Sequence, residues 1–166
     1  MQTPRRKPGK YIHRTLDPHL TDAKFLELTS LLEKLKTSTR PHTTEEVQRL
    51  AEMGDFSDNV AYSMAKGRLR SINQQIHELE KQLESSIIIN PGGKTETVQI
   101  GSRVTIETGG ERKTYLILGS SETNPPKGMI SHNSPMGFAL LGHKVGDTVE
   151  VPSVNKVIAC RVVAIG

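Results

Sequence analysis

The chain has 166 residues, enough for one ordinary domain or two small ones, and its 34% hydrophobic and 24% charged residues read as a soluble protein. No stretch approaches the roughly 20 apolar residues that span a bilayer, and the basic N-terminus has no apolar segment behind it, so neither a membrane span nor a secretory leader is expected. The net charge is +4, and a single cysteine, Cys160, excludes an internal disulfide and suits a reducing compartment, which makes the cytoplasm the expected location.

Residues 1–19 carry Arg5, Arg6, Lys7, Lys10 and Arg14 against Asp17 alone, with Pro4, Pro8 and Gly9 among them. Such an arm is expected to be flexible and either attracted to polyanions or merely solvated. Thr21 or Asp22 can then cap a helix, along which Phe25, Leu28, Leu32 and Leu35 recur at heptad spacing. Val47 and Leu50 continue the apolar stripe one residue out of phase. Pro41, between the two halves, must kink or interrupt the helix. The clearest pattern follows: Tyr62, Ala65, Leu69, Ile72, Ile76, Leu79 and Leu83 alternate at steps of three and four, a seam on one stripe of a helix. At about 1.5 Å per residue, a helix from Asp58 to Ser85 is roughly 42 Å long and needs a partner for its stripe.

Two helices, about 20–52 and 58–85, joined by a tight connection near Gly54, make an antiparallel coiled-coil hairpin. A parallel dimer through residues 59–85 satisfies the same periodicity; the matching stripe just upstream favours the hairpin and a monomer. After Ser85 the composition changes. Ile87-Ile88-Ile89 is β-branched and Asn90-Pro91-Gly92-Gly93 is a turn. Strand-like runs follow at Arg103–Glu107, Lys113–Leu118, Thr148–Val151 and Lys156–Ile165, punctuated by Gly109-Gly110 and Gly146-Asp147. Ser134 reads as a helix cap with Pro135 in the first turn, the helix running through Phe138 to Leu141 and stopping at Gly142. The fold class is therefore α+β: a basic arm over 1–19, a helical hairpin over 20–85, and over 86–166 a small, mostly antiparallel β domain with one short helix.

The candidate chemistry sits at the bend, in Gly54-Asp55-Phe56-Ser57-Asp58-Asn59. Carboxylates three apart at a helix start lie on neighbouring positions. One reading is structural: Asp55 caps the helix and Asp58 complements its dipole. The other is functional: two exposed carboxylates at the end of a long projection help to hold magnesium, which takes one or two carboxylates beside water and phosphate oxygens.

The stretch Gly54-Asp55-x-x-Asp58-Asn59-x-x-Tyr62 resembles the tip motif of the Gre family of transcription factors, Gly-Asp-x-x-Glu-Asn-x-x-Tyr. Lys66 and Arg68-Leu69-Arg70-x-Ile72 resemble the second helix of its GreB branch. Leu20-Thr21, Leu35-Lys36 and Arg40-Pro41 resemble the family's first helix, with Pro41 at the family's distance before Gly54. Ile130-Ser131-x-Asn133-Ser134-Pro135 and Leu140-Leu141-Gly142-x-x-x-Gly146-Asp147 resemble its C-terminal signature. The likeness covers about residues 20–166 and keeps its order throughout.

The resemblance implies a coiled coil that enters the secondary channel of bacterial RNA polymerase in a transcription elongation complex. Asp55 and Asp58 would there share a magnesium ion with the polymerase, which itself hydrolyses backtracked nascent RNA; the factor is no enzyme and carries no cofactor of its own. Asn59, Tyr62, Lys66, Arg68 and Arg70 would meet RNA or the channel. The C-terminal half would be FKBP-like and anchor the factor at the channel rim through Ser134, Pro135, Leu141 and Gly142. Three departures stand out: Asp58 replaces the usual Glu, Ala61 replaces an acidic residue often found before the tyrosine, and the basic arm has no counterpart.

Two rival functions follow from the same residues. A channel binder that does not stimulate cleavage fits the shortened Asp58 and the neutral Ala61. A peptidyl-prolyl isomerase would fit an FKBP-like half, yet residues 86–166 offer only Tyr115 and Phe138 as aromatics. Gly93-Lys94-Thr95 is not a phosphate loop, because Ile88 occupies the place of the first glycine. The six histidines show no pairing at metal-ligand spacing, and Cys160 in an apolar strand is expected to be core.

Overall fold

The computed structural model describes residues 17–53, 60–152 and 157–166. The chain enters through a short strand β1 (His19–Thr21) and rises as α1 (Asp22–Lys34), capped by Thr21, whose hydroxyl accepts from the Lys24 N–H at 3.2 Å. A π-helical turn, Leu35–Thr39, leads without a break into α2 (Arg40–Glu52). The return helix α3 (Val60–Glu84) is followed by β2 (Ile87–Ile89), which pairs in parallel with β1. The strand pair ties the start of the first helix to the end of the last.

The π turn explains two features of the sequence at once. Pro41 has no N–H to give, and its ring collides with the carbonyl four residues back in an α-helix. Here the helix widens just before the proline, and the Arg40 N–H reaches the Leu35 carbonyl, five residues away. A widened turn spends one extra residue. The buried positions therefore run Leu28, Leu35, then Thr43 instead of residue 42, which is the one-residue slip in the apolar stripe. Pro41 neither breaks nor stops the helix.

All seven predicted seam residues of α3 are buried or half-buried. Ile76 and Leu79 pack with Leu20, Leu28 and Leu35, flanked by Phe25, Leu32, Ile72 and Leu83. Two cross-helix ion pairs, Lys36 with Glu80 and Glu46 with Arg68, accompany the antiparallel pairing. Within the chain, the hairpin satisfies the stripe. No helix among the described residues is long and apolar enough to cross a membrane.

The second half is a five-stranded sheet in the order β5-β4-β3-β7-β6, with β3 Arg103–Thr108, β4 Glu111–Leu118, β5 Met129–Ser131, β6 Thr148–Pro152 and β7 Val157–Ile165. The α+β class and the four anticipated strands are as expected, within a residue or two. Strand β5 was not anticipated, and its pairing with β4 is parallel, so the sheet is mixed. Gly109 and Gly110, both at positive φ, turn β3 into β4 with Thr108 facing Glu111, a two-residue hairpin whose twist suits the strands. Helix α4 (Pro135–Leu140) covers one face of the sheet, its Leu140 buried with Val104, Ile106, Ile117, Val149, Cys160 and Val162. Cys160 is core, as its apolar strand suggested.

Strand β1 also docks the hairpin onto this second half. The Thr21 N–H and hydroxyl both donate to the Glu122 carboxylate. The Asp17 carboxylate accepts from the Ser120 N–H and hydroxyl, each at 2.8 Å. Asp17 and His19, assigned to the basic arm by composition, thus belong to the folded junction.

Candidate functional site

Met53 and Val60 end α2 and α3 at the pole of the hairpin away from the β1–β2 pair. A 25-residue α3 sets that pole about 37 Å from the base at 1.5 Å per residue. The carboxylates Asp55 and Asp58, with Asn59, lie in the connection between those helices, outside the described residues. Ala61, exposed in the first turn of α3, leaves the described part of this pole without an acidic side chain on that helix.

Tyr62, Lys66 and Arg70 follow one another at four-residue steps and share a stripe of α3. The Lys66 ammonium stands 5.1 Å from the Tyr62 ring centroid, inside cation–π range, which holds both side chains against the helix. Lys66 and Arg70 are exposed, so the stripe presents positive charge beside the tip. Arg68 departs from this group. It turns toward α2, with its guanidinium 3.5 Å from Glu46, in a shallow groove lined by His42, Glu45, Glu46 and Arg49. Arg68 thus bridges to α2 across the hairpin's surface, while Tyr62 lies on the seam; an exposed pair of this kind stabilises by at most about 1 kcal/mol.

The expected anchoring residues of the second half are mostly framework. The Ser134 hydroxyl accepts from the Gly137 N–H at 3.0 Å and donates to the Ser131 carbonyl at 2.6 Å, so it is spent on capping α4. Pro135 is exposed in the first turn, Leu141 packs partly against the core, and Gly142, at φ 79°, turns the chain so that its N–H reaches Val98. What this region offers outward is Phe138, 75% exposed, with Val145 beyond it at 56%. The sequence placed Phe138 on the helix, but which face of a six-residue helix meets the sheet depends on the strands beneath it.

A further group was not legible at all. The lack of histidine pairing in the sequence is corrected by the fold, which brings His132 to Asp17 across 115 positions and sets its ring 5.0 Å from that of His19. Burial alone would raise the Asp17 pKa, but the N–H groups of Ser120 and His19, the Ser120 hydroxyl and the His19 ring outweigh it, holding the carboxyl well below its ordinary value.

The two halves match separate family profiles: transcription elongation factor, N-terminal, over residues 19–88, and transcription elongation factor GreA/GreB, C-term, over residues 93–166. Transcription elongation factor GreA of Macrococcus caseolyticus is 41% identical over 138 residues, 82% of this chain and 87% of that protein. The GreA of Thermomicrobium roseum is 37% identical over 135 residues, 80% and 86% of the two chains. Among solved structures, GreA factor homolog 1 of Thermus thermophilus is 33% identical, covers 89% of this chain and 97% of its own, and superposes with a TM-score of 0.41.

Proposed function

The chain belongs to the GreA/GreB family of transcription elongation factors, and from that membership we propose that it binds RNA polymerase and stimulates cleavage of backtracked nascent RNA. The observation that carries the reading is the hairpin itself: two long antiparallel helices, clamped at one pole to a sheet domain, whose other ends are joined in sequence by residues 54–59. The hairpin enters the secondary channel while the sheet domain stays at its rim in the cytoplasm, one copy to each polymerase. The exposed ring of Phe138 supplies apolar contact there, beside Pro135.

At the tip, the carboxylates of Asp55 and Asp58 are hard oxygen donors, the kind magnesium takes in pairs alongside water and phosphate oxygens. A bound magnesium stabilises charge on the reacting phosphate oxygens. Asp55 and Asp58 would hold such an ion, and the hydrolysis would remain the polymerase's own. Lys66 and Arg70 attract the RNA backbone along the Tyr62 stripe, and Asn59 lies between that stripe and the carboxylates in sequence. A channel binder without cleavage is the second reading, favoured by Asp58 in place of Glu and by the neutral Ala61.

Asp55→Asn separates a metal-holding role from a capping one, because Asn caps a helix about as well as Asp but is a poor partner for a hard dication. The variant is added to a backtracked elongation complex and RNA length is followed. Normal polymerase binding with most stimulated cleavage lost supports the proposal. Full cleavage would make the carboxylates mere caps, and no cleavage by the wild type would favour the second reading.

A further inference from the structure

The junction between the hairpin and the sheet domain holds three side chains of metal-ligand type that the activity proposed above does not use. Asp17 lies on the segment entering β1, His19 is the first residue of that strand, and His132 lies on the turn leaving β5. Asp17 Oδ1 lies 3.0 Å from His19 Nδ1, and Asp17 Oδ2 lies 2.7 Å from His132 Nε2. The three prospective ligand atoms all fall within 4.8 Å of one another. We propose that Asp17, His19 and His132 form a binding site for a divalent transition metal of the zinc class, which ties the two halves of the chain together.

Zinc takes imidazole nitrogen and carboxylate oxygen at about 2.0–2.2 Å in a tetrahedron, whose ligand atoms are therefore roughly 3.3 Å apart. The two imidazoles meet different oxygens of Asp17, at 3.0 Å on Oδ1 and 2.7 Å on Oδ2, so each contact must open by a few tenths of an ångström for one oxygen to join both nitrogens on an ion. All three ligand atoms lie within 4.8 Å of one another, and the imidazole rings cross at 72°, so they can approach one point from different directions. Imidazole with carboxylate is a donor set for zinc and its neighbours; magnesium prefers six oxygens and keeps its water.

The surroundings are those of a held ligand set. The Ser120 N–H and hydroxyl both donate to Asp17 Oδ2, the oxygen that also meets His132, and fix the carboxylate in place; the Ser120 hydroxyl is in turn 2.9 Å from that of Ser131. Outer hydrogen bonds of this kind fix ligand orientation. The side chains of Asp17, His132 and His19 are 5%, 14% and 24% exposed, so the site is sheltered yet reachable by water as the fourth ligand. Binding requires His19 Nδ1 and His132 Nε2 to be the unprotonated ring nitrogens, with each proton on the other nitrogen. Without metal, the same nitrogens hydrogen-bond to Asp17. The cluster then has two arrangements, and the ion selects one.

The test uses the full chain stripped of metal with a chelator that is then removed. Zinc chloride is titrated by calorimetry into the wild type, His132→Ala, His132→Gln, Asp17→Asn and the distant control His77→Ala. One zinc per chain in the wild type and His77→Ala, weakened at least tenfold in the other three, supports the site. So does a zinc-dependent rise in melting temperature that His132→Gln abolishes, and insensitivity to millimolar magnesium. Cobalt(II) provides a readout independent of stability, since tetrahedral nitrogen and oxygen ligation gives visible bands absent from the His132 variants. Circular dichroism verifies that each variant is folded. Zinc binding of equal strength in folded His132→Gln and wild type, or no stoichiometric binding in the wild type, would overturn the proposal. Neither result bears on RNA cleavage, which is read separately.

Discussion

Gly119→Ala is the smallest change that should loosen the hairpin from the sheet domain. A Cβ at position 119 would stand 2.0 Å from the His19 carbonyl oxygen and 3.0 Å from its carbon, both backbone atoms of β1. Neither can swing aside as a side chain would, so β1 must retreat by roughly 1 Å. The retreat stretches the two 2.8 Å bonds from Ser120 to the Asp17 carboxylate. Hydrogen bonds to a charged group contribute about 1.5–3 kcal/mol each, and overpacking a fitted contact costs about 1–3 kcal/mol. With the bonds weakened but not removed, the expected cost is about 3 kcal/mol. For a chain of this size that lowers the melting temperature by about 6–12 °C. Thermal melts followed by circular dichroism, in chelator, measure it, with Gly93→Ala as control because nothing lies within 4 Å of its added carbon. A Gly119→Ala protein melting within about 1 °C of the wild type would refute the docking of β1 on the sheet domain.

Other consequences follow from the helices and turns. Gly67 lies inside α3 with open space around its would-be Cβ, so Gly67→Ala should stabilise the hairpin by about 0.5–1 kcal/mol, seen as a higher melting temperature. Ile72→Asp puts an unpaired charge on the seam beside the Leu28–Leu79 cluster; a loss of about 3 kcal/mol, read as lost helical dichroism with the sheet signal kept, is expected. Asp147 has its pKa lowered, chiefly by the Lys144 N–H and then by the His143 ring. A carboxyl depressed in the folded state adds stability above its unfolded pKa and loses it as pH falls through the lower folded value. Acid melts of Asp147→Asn should therefore show a flatter decline below about pH 4 than the wild type; an unchanged slope would remove Asp147 from the account.

Periodicity determined that Tyr62 through Leu83 form one helical stripe that must be buried, and the matching stripe upstream pointed to a hairpin; the tertiary structure supplies the pairing itself. The one-residue slip after Leu35 was equally visible, yet its meaning was not. A proline can be met by a kink, a stop or a widened turn, and only the tertiary structure, which widens the turn and buries Thr43, decides among them. Four strands and their turns were legible from alternation and glycine pairs. Strand β5 was not, since three residues paired in parallel to a neighbour carry no local pattern. At the candidate site, the sequence named the carboxylates, the Tyr62 stripe and the α4 region, each a local motif. It did not separate Arg68, turned to Glu46, from Lys66 and Arg70, nor Phe138 in water from Leu140 in the core, because each distinction depends on what lies across from the helix. The meeting of Asp17 and His19 with His132 lay furthest from reach. Ligands separated by more than a hundred positions share no spacing in the chain, and only the closure of β1 onto the turn after β5 brings them within a few ångströms.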